Sequence, residues 1–174
     1  AAYGDRLTRF RRHVVLIRPS LVCVVDDLQS PSPAEFQWLM HAPEELRLNE
    51  TDQTLVSHRG DAEMEIRLIT PGGFTFSQTD QWPLDPKTGF PTATQPEPTK
   101  LWHFTAGTRE RSAARRIASI MNVSTESDRP ECRVQVDGTQ VRVDAKTAGA
   151  ATVIEINLSA DEPLMTVQGE PKEG

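Results

Sequence analysis

The chain has 174 residues, enough to bury a core without disulfides, and its 19 Lys and Arg against 25 Asp and Glu give a formal charge of −6. That balance argues against a general nucleic-acid binder, whose basic face must displace counterions from phosphates. No apolar run approaches the roughly 20 residues that span a bilayer, so neither a nucleic acid nor a membrane is an expected partner. One domain is expected over residues 1–168, with a frayed polar tail at 169–174. The opening "AAYGDRLTRFRR" has no initiator methionine and reads as part of a longer protein.

The first strand candidate covers residues 8–18 and carries Arg9, Arg11 and Arg12. Arg9, Arg11 and His13 project from one strand face, and guanidinium forks suit carboxylate and sulfate groups. Arg18-Pro19-Ser20 breaks the run as a turn, and residues 21–27 form a second strand. The runs Val14–Ile17 and Leu21–Val25 are continuously apolar, which predicts strands covered on both faces. Asp26 and Asp27 then end the second strand. As neighbours they point to opposite faces and do not address one bond together, so they read as acceptors for the amides of the following turn. In the third candidate, residues 34–41, Gln37, Leu39 and His41 share one side, and Phe36, Trp38 and Met40 the other.

Further candidates are residues 54–58, 73–78, 100–105 and 115–124. In "AEMEIRLIT" Ala62, Met64, Ile66 and Leu68 alternate with Glu63, Glu65 and Arg67, the pattern of a strand with one wet face. "DQWPLDPKTGFPTATQPEPTK", residues 80–100, has five prolines and is a long loop, since proline cannot donate to a central ladder. Trp82 and Phe90 anchor it or offer an aromatic surface. "CRVQVDGTQVRV" alternates on both sides of Asp137-Gly138 and predicts a hairpin. "ATVIEINLS" places Ile154, Ile156 and Leu158 inward. The sum is an all-β chain: an antiparallel β-sandwich of about ten strands with one long Pro-rich loop.

Recognised chemistry is scarce. His13, His41, His58 and His103 are scattered, without metal spacing, and no metal or cofactor is expected. No G-x-S-x-G or glycine-rich phosphate loop is present. Cys23 and Cys132 lie in separate strand-like runs and read as buried free thiols in preference to a disulfide. Asn122-Val123-Ser124 matches a glycosylation sequon, a match that chance supplies often. A second basic cluster, Arg109, Arg111, Arg115 and Arg116, would form an anionic-polymer surface if it met the first. The alternative is a solvated face paired with acidic residues. Trp102 is a candidate sugar-stacking platform, and the substrate-binding set is Arg9, Arg11, His13, Trp102 and His103, with no catalytic residue.

The stretch "Y…RFRRHVVLIRPSLVCVVDDLQSPSPAEFQWLMHAPEE", through Arg12, His13, Pro19, Val25, Asp26, Asp27, Trp38, Leu39 and His41, resembles the C-terminal β-sheet region of heparinase II/III-like polysaccharide lyases. The resemblance covers about residues 3–45. It implies a piece of the β-sandwich of a protein that also carries an upstream α-helical toroid and cleaves acidic polysaccharide by β-elimination. It further implies a periplasmic or secreted location and a partner in that upstream domain. The family's catalytic tyrosine and histidine or asparagine, and its H-x-H and "HN" segments, lie upstream and are not found here. Tyr3 and His41 therefore receive no catalytic role, and the chain is expected to be inactive alone. The rival reading is an autonomous carbohydrate-binding or structural β-sandwich module.

Overall fold

The computed structural model describes residues 4–81, 101–125, 128, 130–147, 150–159 and 164–169. After a 3-10 turn at Gly4–Arg6, the chain runs through β1 (Arg9–Ile17), β2 (Leu21–Ala34), β3 (Gln37–Ala42), β4 (Arg47–Asn49), β5 (Thr54–Arg59) and β6 (Ala62–Ile69). It continues through β7 (Phe74–Thr79), β8 (Trp102–Thr108), β9 (Ser112–Thr125), β10 (Glu131–Asp137), β11 (Gln140–Thr147), β12 (Ala150–Asn157) and β13 (Met165–Gly169). The expected all-β antiparallel architecture holds, because every pairing among the described residues is antiparallel. The short β4 and the late β13 were not marked by the alternation. The Pro-rich loop falls on residues 82–100, with Trp82 and Phe90, outside the described residues, as does the tail over 170–174.

Three sheets form, with strand orders β1-β2-β9-β6-β5-β4, β10-β11-β12-β13 and β3-β8-β7. Sequential hairpins account for most pairings. The β10–β11 turn is Gly138-Thr139, one residue on from the expected centre, with Gly138 at φ +57 as its first position requires. The long strands β2 and β9 pair across a large sequence separation, Leu21 opposite Asn122 through Gln29 opposite Ala114, and join the two halves of the six-stranded sheet. Pro31 and Pro33 sit where this register shifts between Gln29 and Ala34, the irregular setting that proline tolerates.

The six-stranded sheet lies between the other two. On one face, Leu21, Cys23, Val25, Ile69, Ala118 and Ile120 pack against Val141, Val143, Ile154 and Ile156 of β11 and β12. On the other, Leu28, Leu55, Ile66, Leu68 and Ile117 pack against Phe74, Phe104 and Ala106 of β7 and β8, with Phe36 beside them. Each fully buried side chain of this kind stabilises the fold by roughly 1.5–3 kcal/mol. Two cores therefore share one sheet, which makes the sandwich three layers deep. Alternation along β6 is what allows this: Ile66 and Leu68 serve one core and Ile69 the other.

The layers are unequal in width. In β2 the apolar run Leu21–Val25, expected to be covered on both faces, packs one face, Leu21, Cys23 and Val25, on the first core, while on the other face Val22 is half-buried and Val24 lines a groove; only farther along does Leu28 reach the second core. β1 corrects the same expectation: Val15 and Ile17 pack on the first core, but Val14 and Leu16 are each 58 % exposed. The six-stranded sheet ends at β1, and the three-stranded sheet ends at β3 before reaching it.

Candidate functional site

The corner formed by β1, β2 and β3 gathers most of the chemistry. Strand alternation sends Arg9, Arg11 and His13 toward the four-stranded sheet with Val15, and Phe10, Arg12, Val14 and Leu16 to the opposite face. The expected common face of Arg9, Arg11 and His13 is thus present. Arg9 is engaged, its Nη2 donating to Asp27 Oδ1 at 3.1 Å. Arg11 and His13 are exposed, and neither carries a hydrogen bond or ion pair among the described residues.

Asp26 and Asp27 lie mid-strand, because β2 continues to Ala34, so they do not cap a turn. Each is a buried carboxylate facing guanidinium donors. Arg12 grips Asp26 with two bonds, Nε to Oδ1 at 2.6 Å and Nη2 to Oδ2 at 2.8 Å, across the register pair Arg12 opposite Asp26. Asp27, on the other face, stands between Arg9 and the buried Arg116, whose Nε lies 3.7 Å from Oδ1. The two carboxylates thus belong to separate networks.

The second basic cluster does not join the first as an open surface. Arg109 donates to Phe74 O at 2.8 Å, Arg111 to Pro33 O at 2.9 Å, and Arg115 to Pro71 O at 2.6 Å and Glu110 O at 3.2 Å. Arg116 donates to Asn157 O at 3.2 Å and to Ser159 O. These guanidinium groups satisfy loop and strand-end carbonyls that would otherwise lack donors. They hold β9 and the turn before it to their surroundings, a role that neither the polymer-binding nor the solvated-face reading anticipates.

A groove of about 960 Å³ opens where the three-stranded sheet stops short. Phe10, Arg12, Val24 and Met121 line it from the six-stranded sheet, and Trp38 and Leu39 from β3. Arg12 Cζ also lies 5.6 Å from the Phe10 ring centre. The sequence signal for this surface was the second phase of β1, of which Phe10 and Arg12 line the groove while Val14 and Leu16 are exposed farther along the strand.

Trp102 and His103 lie in a different sheet from Arg9, Arg11 and His13. Trp102 shares the inward phase of Phe104 and Ala106, while His103 takes the outward phase beside His41, its partner in register. The imidazole centres are 4.6 Å apart with ring planes at 77°. Among the described residues no group of three or more His, Cys, Asp or Glu is placed to hold a metal ion.

Cys23 is buried and Cys132 half-buried, both as free thiols on the first core. Burial, then the neighbouring Cys132, pushes the Cys23 thiol up to about 12. Burial, then Glu65, raises Cys132 as well. Asn122 of the sequon lies within the central strand β9, flanked by Leu21 and Glu65, with Nδ2 donating to Pro130 O at 3.5 Å. This is a structural asparagine inside a sheet. No helix of the described residues is long and apolar enough to cross a membrane.

No family model matches the chain, and no curated protein sequence matches it. Solved structures do. A heparinase III, the BT4657 gene product, superposes with a TM-score of 0.58 at 14 % identity over 86 % of this chain. The heparan sulfate lyase HepC from Pedobacter heparinus does so with a TM-score of 0.55 at 11 % identity over 88 % of this chain. In both cases the match takes up 24 % of the other protein's length. The chain therefore shares the fold of a part, about a quarter, of these larger lyases.

Proposed function

We propose that this chain is the C-terminal β-sheet portion of a heparinase II/III-like polysaccharide lyase. In this reading it supports a substrate cleft built largely by the rest of the protein and holds acidic polysaccharide through Arg9, Arg11 and His13. The observation that carries the reading is the unfinished layer over β1. Phe10, Val14 and Leu16 are exposed on a sheet face whose strands continue under a core, in a chain whose fold spans 24 % of two lyases. Apolar faces of this kind are normally covered, and the occupant proposed is the remainder of the same parent protein, including an upstream α-helical domain.

β-Elimination requires a base for the proton α to a uronate carboxylate, an acid for the leaving oxygen and a cation for the carboxylate. The exposed Arg11 and His13 suit the last task. Asp26 and Asp27 are occupied as acceptors of arginine and serve the fold. The chain alone is accordingly a binding and supporting element, acting outside the cytoplasm where polymeric substrate is met.

The test is chromatography of the chain on immobilised heparan sulfate, with absorbance of unsaturated uronate followed in a parallel incubation. Salt-sensitive retention that drops in an Arg11→Ser/His13→Ser variant, without any absorbance rise, is the expected result. Passage without retention at low salt defeats the binding role, and a clear absorbance rise defeats the claim that catalysis resides elsewhere. Retention lost on Trp102→Ala with the arginines intact favours the autonomous carbohydrate-binding module.

A further inference from the structure

We infer that His41 and His103 form a two-histidine site for a divalent transition-metal ion of the zinc, nickel and copper class. The argument starts from register. β3 and β8 pair antiparallel with His41 directly opposite His103, although 62 positions separate them, and both project from the outer face of the three-stranded sheet. Opposed side chains in such a pair start about 4.5–5.5 Å apart at Cβ, which lets two imidazoles share one ion.

The ring geometry agrees in magnitude. At a metal–nitrogen distance of about 2.0–2.1 Å, an ion lies roughly 3.2 Å from each ring centre, so coordination angles of about 90–109° put the two centres about 4.5–5.2 Å apart. The observed separation is 4.6 Å, so chelation needs ring rotation and no movement of the strands. The 77° between ring planes keeps the rings from stacking flat, a posture in which their nitrogens would not converge.

The ligand set selects the ion. Gln37, Leu39, Thr75, Ser77, Thr79 and Thr105 share the same outer face and carry no charge, and the Glu35 carboxylate lies over Gly107, four residues along β8 from His103. Calcium and magnesium, which demand several oxygen ligands and usually carboxylates, have no claim on such a face. Neutral imidazole suits zinc, copper and nickel. Among the described residues no third His, Cys, Asp or Glu joins the pair. His41 is exposed and gives the ion access. Such a site is labile, and its effect is to pin the edge strand β3 to the middle strand β8 beside the groove.

The experiment is calorimetric titration and thermal unfolding of the full, chelator-stripped chain with zinc or nickel chloride at neutral pH. One ion is expected to bind, raising Tm by about 2–4 °C at saturation, while calcium gives no rise. His41→Gln and His103→Gln should each abolish the response alone, and His13→Gln and His58→Gln should leave it intact. Absence of binding, or binding that survives either single substitution at 41 or 103, overturns the inference. Should a variant fail to fold, substoichiometric nickel added to the unaltered chain decides: selective broadening of the His41 and His103 ring resonances supports the site, and their persistence refutes it.

Discussion

The six-stranded sheet is one object with two differently treated faces. Toward β10–β13 the core extends to one end of the edge strand β1, where Val15 and Ile17 pack on it, although Arg11 and His13 farther along the same face are exposed. Toward β3, β8 and β7 the covering layer is three strands wide, and the adjacent side chains Val14 and Leu16 stand in solvent. Composition does not distinguish these neighbours. What differs is the width of the layer opposite, so burial along a strand is a property of the assembly as much as of the strand.

The sharpest way to test this asymmetry is through the aspartates that face opposite ways at its edge. Asp27 meets Arg116, whose side chain is only 4 % exposed and cannot recover water if the carboxylate is removed. Asp27→Ala should therefore destabilise the chain by about 3 kcal/mol, the scale for breaking a buried ion pair, read as a fall in the urea midpoint at constant m. A cost below 1 kcal/mol would mean that the carbonyl partners of Arg116 suffice and that the pair adds little.

The next effect belongs to the covered face and appears with pH. Cys23 lies in the first core, and its thiol is raised from 9.0 to about 12 by burial first and Cys132 second. Below about pH 9 the group is protonated in both states and its contribution is fully present. Above that, the unfolded chain ionises while the folded one does not, so stability is lost as pH rises, until the folded pKa near 12 is passed. The loss at pH 10 should be roughly 1.4 kcal/mol, and denaturation at pH 8 and pH 10 measures it. Cys23→Ala should flatten this alkaline limb. An equal limb in the variant would assign the loss to other groups.

How much of this was legible follows from how local each feature is. The alternation in "AEMEIRLIT" named Met64, Ile66 and Leu68 as one inward face, and the structure packs all three on the second core. Ile154, Ile156 and Leu158 were equally plain, because one covered face writes a period of two. The unbroken apolar runs of β1 and β2 predicted cover on both faces, but each reaches a core on one face only, since the cover on the other depends on strands elsewhere. Arg109, Arg111, Arg115 and Arg116 looked like a charged surface because sequence does not reveal that carbonyls of distant loops await donors. His41 and His103 were read as isolated, and only the β3–β8 register makes them neighbours.

A smaller effect is expected at Asp26. Its partner Arg12 keeps half its side chain in solvent and swings back into water when released, so Asp26→Ala should cost about 1 kcal/mol in spite of the two-bond grip. The ratio of the two aspartate costs is the useful number. A ratio near one would show that both networks are equally desolvated and that the faces do not differ at this edge.

The smallest expected change tests the open face directly. Leu16 is 58 % exposed, so Leu16→Ser removes little apolar surface from a dry environment and should shift stability by no more than about 0.5 kcal/mol. Val15, one residue away and packed on the first core, should show the larger cost under Val15→Ser, because a hydroxyl replaces methyl groups against β10–β13. If Leu16→Ser proves as costly as Val15→Ser in this chain, a layer already covers the groove side of β1. If near-neutrality in this chain gives way to a loss of about 1.5–3 kcal/mol when the same substitution is placed in the longer lyase proposed above, the face is one that the rest of that protein buries. The difference between the two measurements isolates what the proposed remainder of the protein contributes at that position, which neither measurement supplies alone.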